Sequence, residues 1–352
     1  MSAPIPYFDG HNDSLLRLYK DDSGTAVADF LKGSAKGHID LPRARQGGFV
    51  GGLFALFSPP NGKPPNFAAG GGPLNIPLPP TLPAYEAASS VIGEVAMLFR
   101  VIEASVGAVT LCTSVAEIRA AIARQSLAVA LHIEGADAID ADLYLLDVLH
   151  AVGLRSLGPL WSRPNIFGHG VPMSFPGSPD IGDGLTDAGK RLVRECNRRR
   201  IMLDVSHLNE KGFWDIVALS DAPVIATHSN VHAIAESPRN LTARQLDAIR
   251  DSGGLVGVTF ATSYLRTDGL MSPDTAMDLL VRHIDGLIER LGEDRVGIGS
   301  DFDGAAIPAA IGSVAGSQKL FEALRQHGYD EPLLRRIGAE NWLAALERTW
   351  GA

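Results

Sequence analysis

Short apolar runs alternate with segments of helical apolar spacing about eight times along the chain. The runs are short enough for strands, and the segments between them repeat apolar residues every three or four positions. The predicted strands cover residues 5–8, 49–57, 126–134, 154–157, 201–205, 223–226, 254–260 and 295–299. Predicted helices cover residues 85–106, 140–152, 186–200, 210–219, 242–252 and 275–291. This alternation indicates parallel βα units.

Eight such units predict a (β/α)8 barrel of the TIM type, formed as a single domain over residues 1–352. A doubly wound open sheet is the competing topology. It would require a G-x-G-x-x-G turn after the first strand, whereas the first turn here reads Gly10-His-Asn-Asp13. Two stretches rich in Pro and Gly, 59–83 and 161–184, are predicted to be long βα loops, and loops of that length are usually functional.

Composition narrows the class of protein. With 45% hydrophobic and 20% charged residues the chain can bury a large core, and its net charge of −9 argues against nucleic-acid binding. It has no apolar run of about 18 residues, so no membrane span is expected. Cys112 and Cys196 cannot form a disulfide framework, and the N-terminus lacks the features of a signal peptide. These observations predict a cytoplasmic protein.

Polar side chains follow the predicted strands at the point where each strand ends. In a barrel the carboxyl ends of all strands open on one face, where active sites are built. The side chains at these ends are therefore expected to converge, although each belongs to a different part of the chain. They are His11 and Asp13, Glu134, His207, His228 and Asp301.

The residue types of this set predict a metal centre. Three histidines and three carboxylates exceed what one tetrahedral zinc ion can use, so two divalent ions are expected, most simply Zn²⁺. His11 and Asp13 are predicted to bind one ion, His207 and His228 the other, and Glu134 to bridge them. A water held between such ions becomes a hydroxide nucleophile at neutral pH.

The remaining polar residues are assigned to supporting roles. Asp301 is predicted to be the general acid and base, with Asp303 supporting it. Asp204, three residues before His207, is predicted to orient a ligand imidazole through its second nitrogen. His132 shares a strand face with Glu134 and is a reserve ligand, although a buried, hydrogen-bonded histidine is the more common case.

In their order and spacing, six motifs resemble the membrane (renal) dipeptidase family of metallopeptidases over nearly the whole chain. The resemblance implies an amidohydrolase-like barrel with two zinc ions, hydrolysis of dipeptides that include some with a C-terminal D-residue, and a homodimer. It also implies that Arg239 holds the free carboxylate of the substrate, a role that suits a guanidinium. The motifs are Phe8-Asp-Gly-His-Asn-Asp13, His132-Ile-Glu-Gly135, Asp204-Val-Ser-His207, Thr227-His-Ser229, Pro238-Arg-Asn240 and Gly297-Ile-Gly-Ser-Asp-Phe-Asp-Gly304.

The chain departs from the family pattern after the fourth strand. Members such as the mammalian enzyme have a histidine there that polarises the substrate carbonyl, and Trp161 takes its place in this sequence. Arg163, Asn165 and His169 are candidates for the missing donor, with His169 preferred.

Two other functions stay open at this stage. One is a related barrel that hydrolyses another carboxylate-bearing amide or ester, such as an N-acyl amino acid or a lactone. The other is a barrel that has lost catalysis and only binds a ligand. Such a barrel would be expected to have lost some of the six predicted site residues, but all six are present.

Overall fold

A computed structural model describes residues 4–60 and 72–351. The strands within these ranges are β1 (Tyr7–Asn12), β2 (Phe49–Phe57), β3 (Asn75–Ile76), β4 (Val109–Leu111), β5 (Leu127–Glu134), β6 (Leu154–Gly158), β7 (Met173–Ser174), β8 (Met202–Leu203), β9 (Ile225–Ala226), β10 (Leu255–Val258) and β11 (Val296–Ile298). The helices are α1 (Ser14–Tyr19), α2 (Ala26–Lys32), α3 (Leu41–Gly47), α4 (Ala84–Ser105), α5 (Val115–Ala123), α6 (Tyr144–Ala151), α7 (Asp187–Arg199), α8 (Glu210–Leu219), α9 (Ala243–Asp251), α10 (Thr262–Leu265), α11 (Met277–Leu291), α12 (Gln318–His327), α13 (Glu331–Arg335) and α14 (Asn341–Trp350).

The predicted barrel is confirmed. Eight strands lie side by side in the order β8-β6-β5-β2-β1-β11-β10-β9, and the neighbouring strands are parallel. A single parallel bridge between Asp204 and Ile225 joins the two ends, where the Val205 N–H donates to the Ile225 carbonyl at 2.8 Å. The strands therefore form a nearly closed ring, and their carboxyl ends share one mouth.

Two features of the sheets were not predicted from the sequence. Strand β4 pairs with the start of β5, on the edge that β6 occupies further along. Strands β3 and β7 form a short antiparallel pair, which ties the two long loops to each other. Residues 61–71 of the first of these predicted loops lie outside the described residues.

The end of the barrel opposite the mouth is filled by apolar side chains. Trp342 of α14 is fully buried, and its indole N–H donates to the Ile298 carbonyl at 2.8 Å. The ring lies against Gly10 and Gly297, where any Cβ atom would collide with it. The buried side chains that surround it come from several strands and include Phe8, Leu53, Ala128, Ala130, Met202, Ile225 and Leu255.

A second, larger apolar cluster lies between the strands and the surrounding helices. In the described part of the chain, no helix is both long and apolar enough to cross a bilayer.

Candidate active site

His11 and Asp13 come together at the carboxyl end of β1. The register of β1 with β2 shifts between Asp9 and Asn12, and a bulge of this kind changes the direction of the side chains that follow it. His11 Nε2 lies 3.4 Å from Asp13 Oδ2 and 3.7 Å from Glu134 Oε1. Both residues are buried, and they lie beside the end of β5 as predicted.

Glu134, the last residue of β5, is the centre of the cluster. Its Oε1 atom lies 2.9 Å from His207 Nε2 and 3.3 Å from His228 Nε2. These two imidazole nitrogens are 3.1 Å from each other. The structure therefore brings the five predicted metal ligands to one point, and the carboxylate of Glu134 is the atom group that the three histidines share.

The donors at this point fit a divalent metal ion. Both ring nitrogens of His11 are buried, and neither has a hydrogen-bond partner. An unpaired buried nitrogen of this kind costs about 1–3 kcal/mol, which a metal bond would remove. Imidazole nitrogens and carboxylate oxygens are ordinary zinc ligands. Two sets of three residues each have their donor atoms within 4.8 Å of one another. One set is His11, Glu134 and His228, and the other is His11, Asp13 and Asp301.

A hydrogen-bonded chain fixes the tautomer of His228. The Thr227 hydroxyl donates to Asp204 Oδ2 at 2.7 Å, so its oxygen accepts from His228 Nδ1 at 2.8 Å. The proton of a neutral His228 therefore resides on Nδ1, and Nε2 presents a lone pair toward Glu134. Asp204 was predicted to orient a ligand imidazole through its second nitrogen, and in the structure it contacts His228 Nδ1 indirectly, through the Thr227 hydroxyl.

His207 and His132 have different partners from His228. His207 Nδ1 lies 2.9 Å from the Ser162 hydroxyl. His132, the reserve ligand, is fully buried, and its Nδ1 lies 2.8 Å from the Ser156 hydroxyl. It belongs to neither of the two donor groups, so its contacts match the hydrogen-bonded alternative.

Asp301 lies on a short loop with constrained backbone geometry. Its φ is +61° and that of Asp303 is +68°, a region that residues other than glycine rarely adopt. Asp9 holds the start of this loop, because its two carboxylate oxygens accept from the backbone N–H and the hydroxyl of Ser300, each at 2.7 Å. Gly304 closes the loop where a Cβ atom would collide with the carboxylates of Asp13 and Asp301.

Asp303 lies two residues after Asp301 on the same loop and is hydrogen-bonded to Ser14, Arg17 and His38. Its Oδ2 accepts from the Ser14 hydroxyl at 2.8 Å and from Arg17 Nε at 3.0 Å. The Asp303 N–H donates to His38 Nδ1 at 2.8 Å. Asp303 thereby ties the Asp301 loop to α1 and to the segment before α3.

The pKa values of the buried residues in the cluster indicate that bound positive charge would stabilise it. Burial raises the pKa of Glu134 well above its ordinary value and that of Asp301 to about 7. Burial also lowers the pKa of His207 and of His228, so both are neutral. Burial opposes charge on His11, yet the Glu134 and Asp13 carboxylates raise its pKa to about 10. Bound cations would stabilise the ionised carboxylates and the neutral imidazole.

A cavity of about 270 Å³ opens beside the cluster at the mouth. This volume suits a ligand smaller than most drugs, whose pockets run from roughly 300 Å³ upward. The cavity is lined by both acidic and aromatic residues, among them Asp13, Glu134, Asp301, Phe57, Trp161 and Tyr264. Arg239 is not part of this lining: it is 3% exposed, its guanidinium stacks at 5.3 Å on the ring of Tyr264, which does line the cavity, and its Nη2 donates to the His228 carbonyl at 3.0 Å. Its Nε has no hydrogen-bond partner.

Neither Arg163 nor His169 lines this cavity. Arg163 is fully buried, and its Nε donates to Asp137 at 2.9 Å and its Nη2 to the Ser58 carbonyl at 2.8 Å. The His169 ring instead lies beside Gly182. Asn165, the third candidate, donates its amide to the Pro159 carbonyl at 2.9 Å. The sequence could not show these contacts, because each depends on how the loop after β6 folds.

We expect Arg163→Met to destabilise the protein. The substitution leaves Asp137 buried without its cationic partner, and breaking a buried pair in this way costs about 3–5 kcal/mol of unfolding free energy. Urea denaturation followed by circular dichroism measures the loss, and the double variant Arg163→Met with Asp137→Leu should recover part of it. A fall in kcat with unchanged unfolding free energy would instead support a catalytic role for Arg163.

Several residues of the site were not singled out from the sequence. Thr227 and Asp9 lie within the quoted motifs, but nothing in the spacing revealed their roles. Tyr264 lies in the short helix α10 and Ser162 in the loop after β6, and only the folded structure brings them to the mouth. Residues of this kind cannot be recognised from the sequence pattern, because each one hydrogen-bonds to or contacts a single neighbour and does not recur at regular spacing.

A parallel barrel with clustered histidines and carboxylates at its carboxyl-terminal mouth defines the class of metal-dependent hydrolases of the amidohydrolase type. The model of the membrane dipeptidase family, Peptidase family M19, matches residues 1–350. The chain therefore belongs to this family of metal-dependent hydrolases of peptide bonds, which favours a dipeptidase over the other functions considered.

Solved structures and a curated sequence are similar to the chain over most of their length. A crystal structure of an M19 dipeptidase is 53% identical, with a TM-score of 0.96 over 99% of this chain and 100% of that one. A metallopeptidase from Rhodobacter sphaeroides, liganded with a phosphinate mimic of the dipeptide L-Ala-D-Ala, is 52% identical, with a TM-score of 0.95 over the same shares. An uncharacterized Klebsiella pneumoniae protein encoded in the pqqA 5′ region is 48% identical over 73% of this chain and 95% of its own length.

Proposed function

We propose that this protein is a dipeptidase that uses two divalent metal ions and accepts dipeptides with a C-terminal D-residue, L-Ala-D-Ala among them. The observation that carries the proposal is the convergence of His11, His207 and His228 on the Glu134 carboxylate, at distances of 2.9 to 3.7 Å. The dipeptide mimic bound by the R. sphaeroides relative supports the choice of substrate.

The metal ligands are assigned as the sequence predicts. His11 and Asp13 would hold one ion, His207 and His228 the other, and Glu134 would bridge the two. Ions bound there would lower the pKa of a water molecule and polarise the carbonyl of the peptide bond. Zinc is the proposed metal because nitrogen and oxygen donors of this kind suit it, although they also accept other divalent ions.

Two side chains of the protein transfer the proton and bind the carboxylate of the substrate. Asp301 lies beside Asp13 and His11, and it lines the cavity. It takes a proton from the attacking water and gives it to the leaving amine, as a positioned general acid and base does. Arg239 binds the free carboxylate of the substrate, so the residue that follows the scissile bond must be the C-terminal residue.

We expect Arg239→Met to raise KM for L-Ala-D-Ala by about 10- to 100-fold, because a hydrogen bond to a charged group contributes about 1.5–3 kcal/mol. Steady-state kinetics with the free dipeptide and with its C-terminal amide measure the effect. The amide lacks the charge that Arg239 recognises, so the variant and the wild type should hydrolyse it equally slowly. An equal loss on both substrates would show that Arg239 acts elsewhere.

The proposed function is tested by a substrate screen. Purified protein loaded with zinc should hydrolyse L-Xaa-D-Xaa and L-Xaa-L-Xaa dipeptides, and a chelator should abolish the activity. Tripeptides of matched composition should remain intact. Absence of dipeptide hydrolysis under these conditions would refute the proposal.

We also propose that the protein is cytoplasmic and forms a homodimer. The first is supported by the two buried cysteines, which are free thiols in this structure. The second derives from the family resemblance.

A further inference from the structure

Two aromatic residues form a wall on one side of the mouth. Phe57 ends β2, and Trp161 follows β6. Their ring centroids are 5.0 Å apart with an interplanar angle of 66°, an edge-to-face contact. Both rings line the cavity beside the metal ligands, and the Trp161 ring lies 6.1 Å from that of His207. We call Phe57 and Trp161 the aromatic wall.

Phe57 lies across the mouth from Arg239, and the Trp161 ring packs against Phe57, although β6, which Trp161 follows, is two places from β9 in the ring. In the ring of eight strands, β2 lies four places from β9, and β5 lies four places from β10. Arg239 follows β9, Tyr264 follows β10, and the wall strands β2 and β6 lie on either side of β5. Glu134, at the end of β5, therefore lies on the wall side of the cavity.

The position of the wall determines which part of a dipeptide it contacts. If Arg239 holds the substrate's carboxylate and the peptide carbonyl lies over Glu134, the amino-terminal residue extends away from Arg239. That direction leads to Phe57 and to the Trp161 ring that packs against it. This step rests on the proposed function, because it uses the role of Arg239 given there.

Buried polar groups hold the wall in place from behind. The Arg163 guanidinium lies 5.4 Å over the Trp161 ring and is fixed by Asp137 and by the Ser58 carbonyl. The Phe57 N–H donates to the buried carboxyl group of Glu94 at 2.8 Å. The Trp161 ring can move back on this side only by displacing the buried Arg163 guanidinium, which would break the hydrogen bonds of that guanidinium.

We propose that Trp161 is a specificity-determining residue that limits the amino-terminal residue of the substrate to small side chains. The indole lines the cavity next to Phe57 and close to His207, so it limits the space left for a substrate side chain on this side. The preferred substrates are dipeptides whose first residue is glycine or alanine. The carboxy-terminal residue is not restricted by Trp161, because it lies on the Arg239 side.

The test compares two substrate series in the wild type and in Trp161→Ala. One series varies the first residue (Gly, L-Ala, L-Leu and L-Phe before D-Ala), and the other varies the second (L-Ala before D-Ala, D-Leu and D-Phe). In the first series, the ratio of kcat/KM for L-Leu-D-Ala to that for L-Ala-D-Ala should rise 10-fold or more in the variant, mainly through KM. A change of one or a few methylenes in a pocket produces selectivity of this size. Ratios in the second series should stay within about twofold.

Two further variants complete the experiment. Trp161→Phe keeps an aromatic ring against Phe57 and should shift the first series in the same direction by a smaller factor, which provides the test if the alanine variant fails to fold. Tyr144→Ala removes an aromatic side chain that is 71% exposed and does not line the cavity, so both series should match the wild type.

The outcomes separate this inference from the proposed function. The role of Trp161 alone is overturned if the wild type hydrolyses the small dipeptides but the Trp161 variants leave the first-series ratios unchanged. It is also overturned if the variants shift the second-series ratios instead. A wild type that hydrolyses no dipeptide overturns the proposed function, and the role of Trp161 falls with it.

Discussion

Glu134→Gln should lower kcat/KM for L-Ala-D-Ala by about 10³-fold or more. Glu134 is the group on which three imidazoles converge, and the amide of glutamine cannot supply the negative charge that two cations require. Loss of the ions removes the several kcal/mol by which they lower the barrier, and each 1.36 kcal/mol is a tenfold change in rate.

Metal content and activity should fall together in this variant. Elemental analysis of the purified protein measures the first, and steady-state kinetics measure the second. Glu289→Gln is a matched control, because Glu289 is exposed on α11 and distant in sequence from every assigned ligand. Full metal content with wild-type turnover in Glu134→Gln would contradict the assignment of Glu134 as a metal ligand.

Asp301→Asn should lower kcat by about 10²- to 10⁴-fold, the contribution expected of a positioned general acid and base. Asparagine keeps the size of the side chain but cannot take up a proton. Because Asp301 lies near His11 and Asp13, its carboxylate could in principle also bind metal, and the two roles predict different metal contents. As a general acid and base, Asp301 can be replaced while the protein keeps its full metal content.

The measurement for this prediction pairs kinetics with elemental analysis on the same preparation. Retained metal with a greatly reduced kcat agrees with the proposed role. Loss of metal from Asp301→Asn would instead identify Asp301 as a ligand, and another group would then have to transfer the proton.

The sequence predicted the barrel and the convergence of its polar residues for one physical reason. Parallel strands of a barrel all point their carboxyl ends to one face, so a residue such as Glu134 at the end of an apolar run can be placed without knowing the loops. His207 and Asp301 follow the same rule, although each adopts a positive φ that the sequence does not reveal.

The sequence was least informative where function depends on the fold of a loop. Arg163 and His169 lie in the long segment after β6, and contacts with distant parts of the chain, such as those of Arg163 with Asp137 and Ser58, decide which of its side chains reach the cavity. The contact of Asp204 with His228 through Thr227 was missed for a related reason, since it crosses between the ends of two barrel strands. Strand β4 is only three residues long, too short for an apolar pattern to show.

The central claim is that the gathered imidazoles and carboxylates hold two metal ions that hydrolysis requires. It is tested most directly by stripping the protein of metal and titrating zinc back, while the bound metal per chain and the rate of L-Ala-D-Ala hydrolysis are measured at each step. The account predicts no activity in the stripped protein and an activity that reaches its maximum at two ions per chain. Hydrolysis that persists after complete removal of metal would contradict it.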